Sequence, residues 1–385
     1  MTTIPYSRQE IDESDIAAVV DALRSEWLTQ GPAIERFETA TSAYCQGGHA
    51  VAVANATAAL HLACRALGLG PGDTLWTSPN TFVASANAAL YCGASVDFVD
   101  IDPSTYNMSV DALAAKLTLA ERSGRLPAVV TPVHFGGQPC DMRTIADLAR
   151  RYGFRVIEDA SHAIGACYDD GAMVGSGGYS DICVFSFHPV KIITTGEGGM
   201  AVTNDPELAA RMRLLRSHGI TRDAARMQQV PEGGWYYEQL DLGFNYRMTD
   251  LQASLGVSQL RRLPDFVARR TSLAERYRAL LSDFPLSFQS PQGAAKSAWH
   301  LFVVCLDDAT RRRAVFDSLV ADGIRANVHY IPVHLQPYYR SAGFHPGDFP
   351  AAEAYYGGAL TLPLFPALGE ADQDRVVDSL SRALS

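Results

Sequence analysis

Short apolar runs suited to buried strands alternate along this chain with longer stretches whose apolar residues recur at helical spacing. Residues 10–24 place Ile11, Ile16, Val19, Val20 and Leu23 on one face of a predicted helix. Val51-Ala-Val-Ala-Asn55 reads as a strand, and Ala56 to Leu67 as the helix that follows it. The scheme then repeats. Thr74–Thr77, Val96–Asp100, Ala128–His134, Arg155–Glu158 and Ile182–Phe187 are predicted strands. Helices are predicted after Phe82 through Ala89, over 109–122 and over Met142–Tyr152. Strands alternating with helices of about 10 or more residues imply an α/β fold with a parallel sheet covered on both faces. In such sheets ligands bind outside the carboxyl ends of the strands. Thr57, Phe82, Asp159 and Lys191 all fall just past predicted strand ends.

Beyond Asn204 the rhythm changes. A basic helix over 206–216 gives way to a polar, glycine-bearing stretch at 221–240 that reads as an exposed loop. Leu242 to Met248 leads into a long helix to about Leu260, continued after Pro264 to about Leu281. Trp299–Leu306 is a predicted strand, 309–322 a helix, and Ala326–Pro332 a further segment. The chain therefore divides into a large N-terminal unit, residues 1–250, and linking helices with a small α+β domain, residues 251–385. There is no internal repeat and no low-complexity tract.

Composition narrows the function. With 47% apolar and 19% charged residues, the 385-residue chain is not generally disordered. A net charge of −10 and the lack of a basic stripe argue against nucleic acid as the main partner. The seven cysteines are scattered and form no C-x-x-C, which suggests reduced thiols in a cytoplasmic protein without a metal site. His300, His329 and His334 also lack ligand spacing. The N-terminus has neither a basic start nor an apolar run, so no signal peptide is expected. The stretches 45–64 and 74–96 lack charge but are broken by Gly, Asn, Thr, Ser or Pro, and read as strand-plus-helix pairs rather than membrane spans.

The chemistry centres on Phe185-Ser-Phe-His-Pro-Val-Lys191, which runs into Ile192-Ile-Thr-Thr-Gly-Glu-Gly-Gly199. A lysine held there away from bulk water loses part of its preference for the charged form and becomes a nucleophile towards aldehydes. Phe154-Arg-Val-Ile-Glu-Asp-Ala-Ser-His162 reads as a strand ending in an acidic tip. A carboxylate such as Asp159 suits the pyridine nitrogen of pyridoxal phosphate, whose protonated ring is the electron sink. The helix start after Asn55 presents free N–H groups, a ready phosphate site. Plainer roles compete at each point: a surface loop for Lys191, a helix cap for Asp159, N-capping by Asn55 or Thr57, and core packing for Phe82.

Five spaced segments occur in order: Asn55-Ala-Thr-Ala-Ala-Leu60, Glu158-Asp-Ala-Ser-His162, Ser186-Phe-His-Pro-Val-Lys191, Gly196-Glu-Gly-Gly199 and Gly243-Phe-Asn-Tyr-Arg247. With them the chain resembles the DegT-type sugar-nucleotide aminotransferases, from Tyr6 to the last helix. The resemblance implies the aspartate-aminotransferase fold (fold type I), pyridoxal 5′-phosphate as cofactor, and a homodimer with shared active sites. Tyr6-Ser7, Leu28-Thr-Gln-Gly31, Ser161-His-Ala163 and His329-Tyr-x-Pro332 lean towards the branch that aminates C4 of a UDP-linked 2-acetamido-2,6-dideoxy-4-hexulose in pseudaminic acid biosynthesis. The resemblance implies a role for each matching residue. Lys191 forms the Schiff base and then shuttles the proton. Asp159 meets the pyridine nitrogen, Phe82 stacks on the ring, and His162 lies near the phenolic oxygen. Ala56, Thr57, Ser186 and a partner's Asn245 hold the phosphate. Tyr6, Glu26, Trp27, Leu28, Thr29, His329, Tyr330, Ile331 and Pro332 line the nucleotide-sugar site. Ala56, Ser186 and Asn245 also border the substrate, and Arg247 meets its anionic groups or a carboxylate across the dimer.

Three other readings stay in view. A sugar dehydratase on this fold has histidine in place of the lysine, and Lys191 counts against it. A non-catalytic cofactor-binding regulator fits poorly with both Lys191 and Asp159 intact. A nicotinamide dehydrogenase would carry G-x-G-x-x-G after the first strand, which is missing here.

Overall fold

The computed structural model describes residues 3–384. At its centre lies a seven-stranded sheet built from β1 (His49–Val53), β2 (Thr74–Thr77), β3 (Ser95–Phe98), β4 (Val129–Thr131), β5 (Arg155–Asp159), β6 (Ile182–Ser186) and β7 (Gly199–Thr203). The strand order is β1-β7-β6-β5-β4-β2-β3. Helices α1 (Glu13–Arg24) and α2 (Pro32–Cys45) precede the sheet. Its connections carry α3 (Ala56–Ala66), α4 (Ala84–Tyr91), α5 (Val110–Arg122) and α6 (Met142–Tyr152), and α7 (Pro206–Arg216) follows β7. Successive residues of β6 enter different cores. Phe185 joins a cluster with Phe37, Leu113 and Ile145, while Val184 joins one with Leu60, Leu62 and Met212. That alternation is what a sheet buried on both faces requires.

The expected parallel order holds from β3 to β6, but β7 runs antiparallel to both β6 and β1. The loop 187–198 contains no helix to lie back across the sheet, so the chain returns antiparallel. The consequence is chemical: Lys191 sits on this tight return, at the carboxyl end of β6.

A two-stranded ribbon, β8 (Ile220–Thr221) with β9 (Glu238–Gln239), closes the base of the polar loop, which is not wholly irregular as the sequence suggests. Helices α8 (Asp250–Arg261) and α9 (Leu263–Leu280) lead to a three-stranded antiparallel sheet of β10 (Leu286–Phe288), β11 (Phe302–Leu306) and β12 (Ala359–Leu362). Helices α10 (Arg312–Ala321), α11 (Pro337–Ser341), α12 (Pro350–Gly358) and α13 (Glu370–Leu384) complete this part. Its core of Phe302, Val304, Leu319, Leu360 and Leu380 also takes in Ile4 from the N-terminus.

Two elements differ from expectation for identifiable reasons. β11 begins at Phe302 rather than Trp299, because Trp299 is left-handed at φ 51°. α1 does not turn its apolar stripe inward: Ile16 and Leu23 are 48% and 56% exposed, whereas Asp15 is buried against Gln259 and Arg262. Among the described residues no helix is long and apolar enough to cross a membrane.

Candidate active site

β5 ends in two carboxylates whose side chains leave the strand in opposite directions. Glu158 is fully buried, where it meets His134 Nε2 at 2.7 Å and accepts from the hydroxyls of Tyr168 at 2.6 Å and Ser180. Asp159 points to the carboxyl-end cleft. Its Oδ1 accepts the Ser161 N–H at 3.1 Å, and its Oδ2 accepts the Ser85 hydroxyl at 2.6 Å. Ser85 is in turn 2.7 Å from Thr81 Oγ1. Asp159 is thus fixed by hydrogen bonds from both sides, and helix capping is not its role.

Lys191 comes from the β6–β7 return. Burial lowers its pKa to about 8, against the opposing pull of the Asp159 carboxylate. The neutral amine, which nucleophilic attack requires, is therefore far more accessible near physiological pH than in an ordinary lysine. The His300 ring nitrogen Nε2 lies 3.5 Å from Lys191 Nζ.

α3 starts where β1 ends. Asn55 caps it, accepting the Ala58 N–H at 2.8 Å, so Asn55 rather than Thr57 is the cap. The amides of Ala56 and Thr57 belong to the first turn and lack intrahelical acceptors. Strand β7 passes so close that a Cβ on Gly199 would lie 2.5–2.6 Å from the Asn55–Ala56 backbone. Only glycine allows that approach.

Three histidines crowd the far wall. His162 Nδ1 accepts the Gly136 N–H at 3.3 Å, so its proton is on Nε2 and is donated to the Tyr330 oxygen at 3.1 Å. Tyr330 keeps its own proton free to donate. Burial depresses the pKa of His162 and of His300 well below the ordinary value, and that of His329 to about 3, with the Lys191 charge adding to each. All three imidazoles are neutral at pH 7. Phe82 is 58% exposed, so it is not a core residue. Its ring faces Tyr330 at 6.3 Å between centroids.

One cavity of about 740 Å³ is lined by Tyr6, Ala56, Thr57, Phe82, Asp159, His162, Ser186, Lys191, His329 and Tyr330. The other expected residues do not reach it within one chain. Glu26, Trp27, Leu28 and Thr29 are exposed, and their loop is tied to the start of α8, where the Asp250 N–H donates to the Leu28 carbonyl at 3.0 Å. Ile331 and Pro332 follow Tyr330 but are not among the lining residues. Asn245 is exposed and bridges to Ser217. Arg247 borders a second cavity, also about 740 Å³, with Arg213 and Arg216. Sequence reasoning missed Ser85, His300 and Tyr246, the last of which also lines the cavity. Ser85 had a signal, as a small hydroxyl residue in the first turn of the helix that follows β2. His300 had none, lying 109 residues from the lysine it meets. Among the described residues no group of three His, Cys, Asp or Glu could hold a metal ion, and no cysteine is paired.

Comparison with known proteins places this geometry among relatives. The profile of the DegT/DnrJ/EryC1/StrS aminotransferase family matches residues 9–381. The Bacillus subtilis spore coat polysaccharide biosynthesis protein SpsC is 41% identical over 383 residues, covering 98% of this chain and 96% of that protein. The structure of Helicobacter pylori PseC, an aminotransferase involved in pseudaminic acid biosynthesis, superposes with a TM-score of 0.90 at 29% identity, covering 100% of this chain and 99% of that one. The PMP form of the sugar aminotransferase Spr1654 from Streptococcus pneumoniae gives 0.89 at 30% identity, over 99% and 98% of the two chains.

Proposed function

The chain belongs to the DegT/DnrJ/EryC1/StrS aminotransferase family and is an aminotransferase; on that premise we propose that it moves an amino group from an amino acid, L-glutamate, to C4 of a UDP-linked 2-acetamido-2,6-dideoxy-4-hexulose. The observation that carries the reading is the meeting of the Lys191 amine, the Asp159 carboxylate and the free amides of α3 in one cavity. These are the three groups that pyridoxal 5′-phosphate needs: an amine nucleophile for its aldehyde carbon, an anion for its ring nitrogen and donors for its phosphate. The residues present fit it.

When bound, the cofactor supplies an electron sink for the carbon that gains or loses the amino group. The chain supplies the rest. Asp159, fixed by Ser85 and Ser161, presents a fixed negative charge. Ala56, Thr57 and Ser186 offer donors to a phosphate at the start of α3. Lys191 holds and returns a proton, its pKa near 8 letting it do both. Tyr330 donates its hydroxyl proton into the cavity, and Phe82 covers it. Tyr6 and His329, their rings 5.3 Å apart, border the sugar.

We also propose a homodimer in which Asn245 and Arg247 of one copy complete the site of the other. Neither residue lines the cavity of its own chain, although Tyr246 between them does, and the exposed Asn245 is open to a neighbouring copy, which supports this. Soluble nucleotide sugars then make the cytoplasm the place of action. A second reading for the substrate is another nucleotide-linked keto sugar of surface-polysaccharide synthesis, of the perosamine or bacillosamine type. The 41% identity to SpsC favours it. Incubation with glutamate and a panel of nucleotide-linked 4-keto and 3-keto sugars, read by product mass and stereochemistry, decides between them. Failure of every sugar to accept nitrogen would overturn both.

A further inference from the structure

His300 is 2% exposed, and its Nδ1 has no hydrogen-bond partner. The backbone around it is held on every side. The Ala298 N–H donates to the Gly137 carbonyl at 3.0 Å and the Leu301 N–H to that of Gly136 at 3.2 Å. Arg270, itself fully buried, donates Nη1 to the carbonyls of Trp299 and His300 at 3.2 and 3.4 Å. Trp299, immediately before it, holds a left-handed φ of 51°, a conformation that persists in a bulky residue only where surroundings impose it. A Cβ on Gly137 would lie 3.0 Å from the His300 nitrogen, so this segment is also pressed against the cleft wall. All this fixes one imidazole nitrogen, Nε2, 3.5 Å from Lys191 Nζ, at the outer edge of hydrogen-bond reach.

The tautomer follows from the unpartnered Nδ1. A buried N–H without an acceptor is rarer and costlier than a lone pair without a donor, so the proton belongs on Nε2. The other titratable groups facing the amine are Asp159, the neutral His162 and the neutral His329. The lone pair of a free Lys191 amine therefore meets one fixed donor.

We propose that His300 is a positioning residue for Lys191: whenever the amine is free and deprotonated, the neutral imidazole donates its Nε2 proton to the lysine lone pair, which favours the unprotonated amine and holds it in place. This rests on Lys191 being the lysine of the transamination proposed above. In the half of that cycle in which the amino group resides on the cofactor, the lysine is free, and this contact keeps it ready to act as a base.

The chain contains only three lysines, Lys116, Lys191 and Lys296, so labelled lysine gives three resonances to follow by NMR. The full-length protein is titrated in its pyridoxamine-phosphate form. Lys191 should titrate near 8 in the wild type. In His300→Leu, which keeps the site dry but removes the donor, its pKa should rise by about one pH unit, a tenfold change. His300→Gln, which retains a donor, should restore most of the wild-type value. A purely packing role predicts no rise with leucine, or a fall, because the environment stays dry; that result overturns the proposal. If the leucine variant does not fold, the imidazole nitrogen shifts of the wild-type protein above about pH 9, where the Lys191 amine is neutral, decide: a proton on Nε2 supports the proposal, and one on Nδ1 or on both overturns it. Borohydride fixation tests the underlying reading separately. Cofactor trapped on a peptide without Lys191 would defeat the proposed function, while the His300 contact would still be read from the titration.

Discussion

Replacing Asp159 by asparagine removes one charge and almost no volume. The local network can absorb the change. The amide oxygen would stay towards the Ser161 N–H, since turning the NH₂ there would set two donors face to face. The NH₂ would then point at Ser85, whose hydroxyl can turn to accept it and give its own proton to Thr81 Oγ1. The fold should survive with little change in melting temperature. What is lost is the charge offered to the cofactor ring. A hydrogen bond to a charged group contributes about 1.5–3 kcal/mol, which at 1.36 kcal/mol per tenfold corresponds to a roughly 10- to 150-fold slower half-reaction. A second effect has its own sign. The Asp159 carboxylate raises the pKa of Lys191, so removing it should take that pKa below about 8. Single-turnover absorbance of the cofactor with glutamate reads the first effect, and lysine NMR reads the second. Turnover within twofold of wild type in a folded protein, with Lys191 titrating unchanged, would refute the role given to Asp159.

Gly199→Ala should weaken cofactor binding with the lysine chemistry intact, because its Cβ would push β7 off the Asn55–Ala56 backbone; equilibrium dialysis of the cofactor checks this, and unchanged affinity refutes the phosphate site. Lys191→Met should raise the melting temperature of the cofactor-free protein at pH 7. The folded lysine titrates near 8 against an ordinary 10.5, so the unfolded chain binds more protons between these values, wild-type stability climbs with pH across that window, and the advantage of methionine should fade there. Mixing inactive Lys191→Ala and Asn245→Asp chains should restore activity, since one site of the mixed dimer carries neither change. Subunit exchange proven by mass without activity would place Asn245 outside the neighbouring site.

The parts of this site that are legible in the sequence are those fixed by sheet geometry. Once the chain is read as strands alternating with helices, every residue just past a strand end is brought to one edge, and Ala56, Thr57, Phe82, Asp159, Ser186 and Lys191 need no further information to meet. The direction of β7 is a different matter. Its apolar run, Met200-Ala-Val, is equally at home parallel or antiparallel, and only the missing crossover helix after Lys191 argues for the reversal. The Glu26–Thr29 loop goes elsewhere because Asp250, 219 residues on from Gly31, binds the Gly31 and Ala33 amides and holds the loop against α8. No local pattern foretells such a contact.

The wall opposite the sheet edge is illegible for a deeper reason. His162, His300 and His329 act through which ring nitrogen carries a proton, and each tautomer is set by a remote partner: the Gly136 amide for His162, Thr361 and Asn327 for His329, and the absence of any partner at Nδ1 for His300. A histidine in a sequence is a donor and an acceptor at once. Only the fold divides those two roles, and here it does so with neutral rings. Three imidazoles that could each carry a charge beside Lys191 would, if protonated, drive its pKa far lower by repulsion and expel one another. Buried and neutral, they leave Asp159 as the one anion acting on the amine. The working pKa of the lysine is therefore a balance between desolvation and a single carboxylate, and the histidines enter it as donors and acceptors instead of as charges.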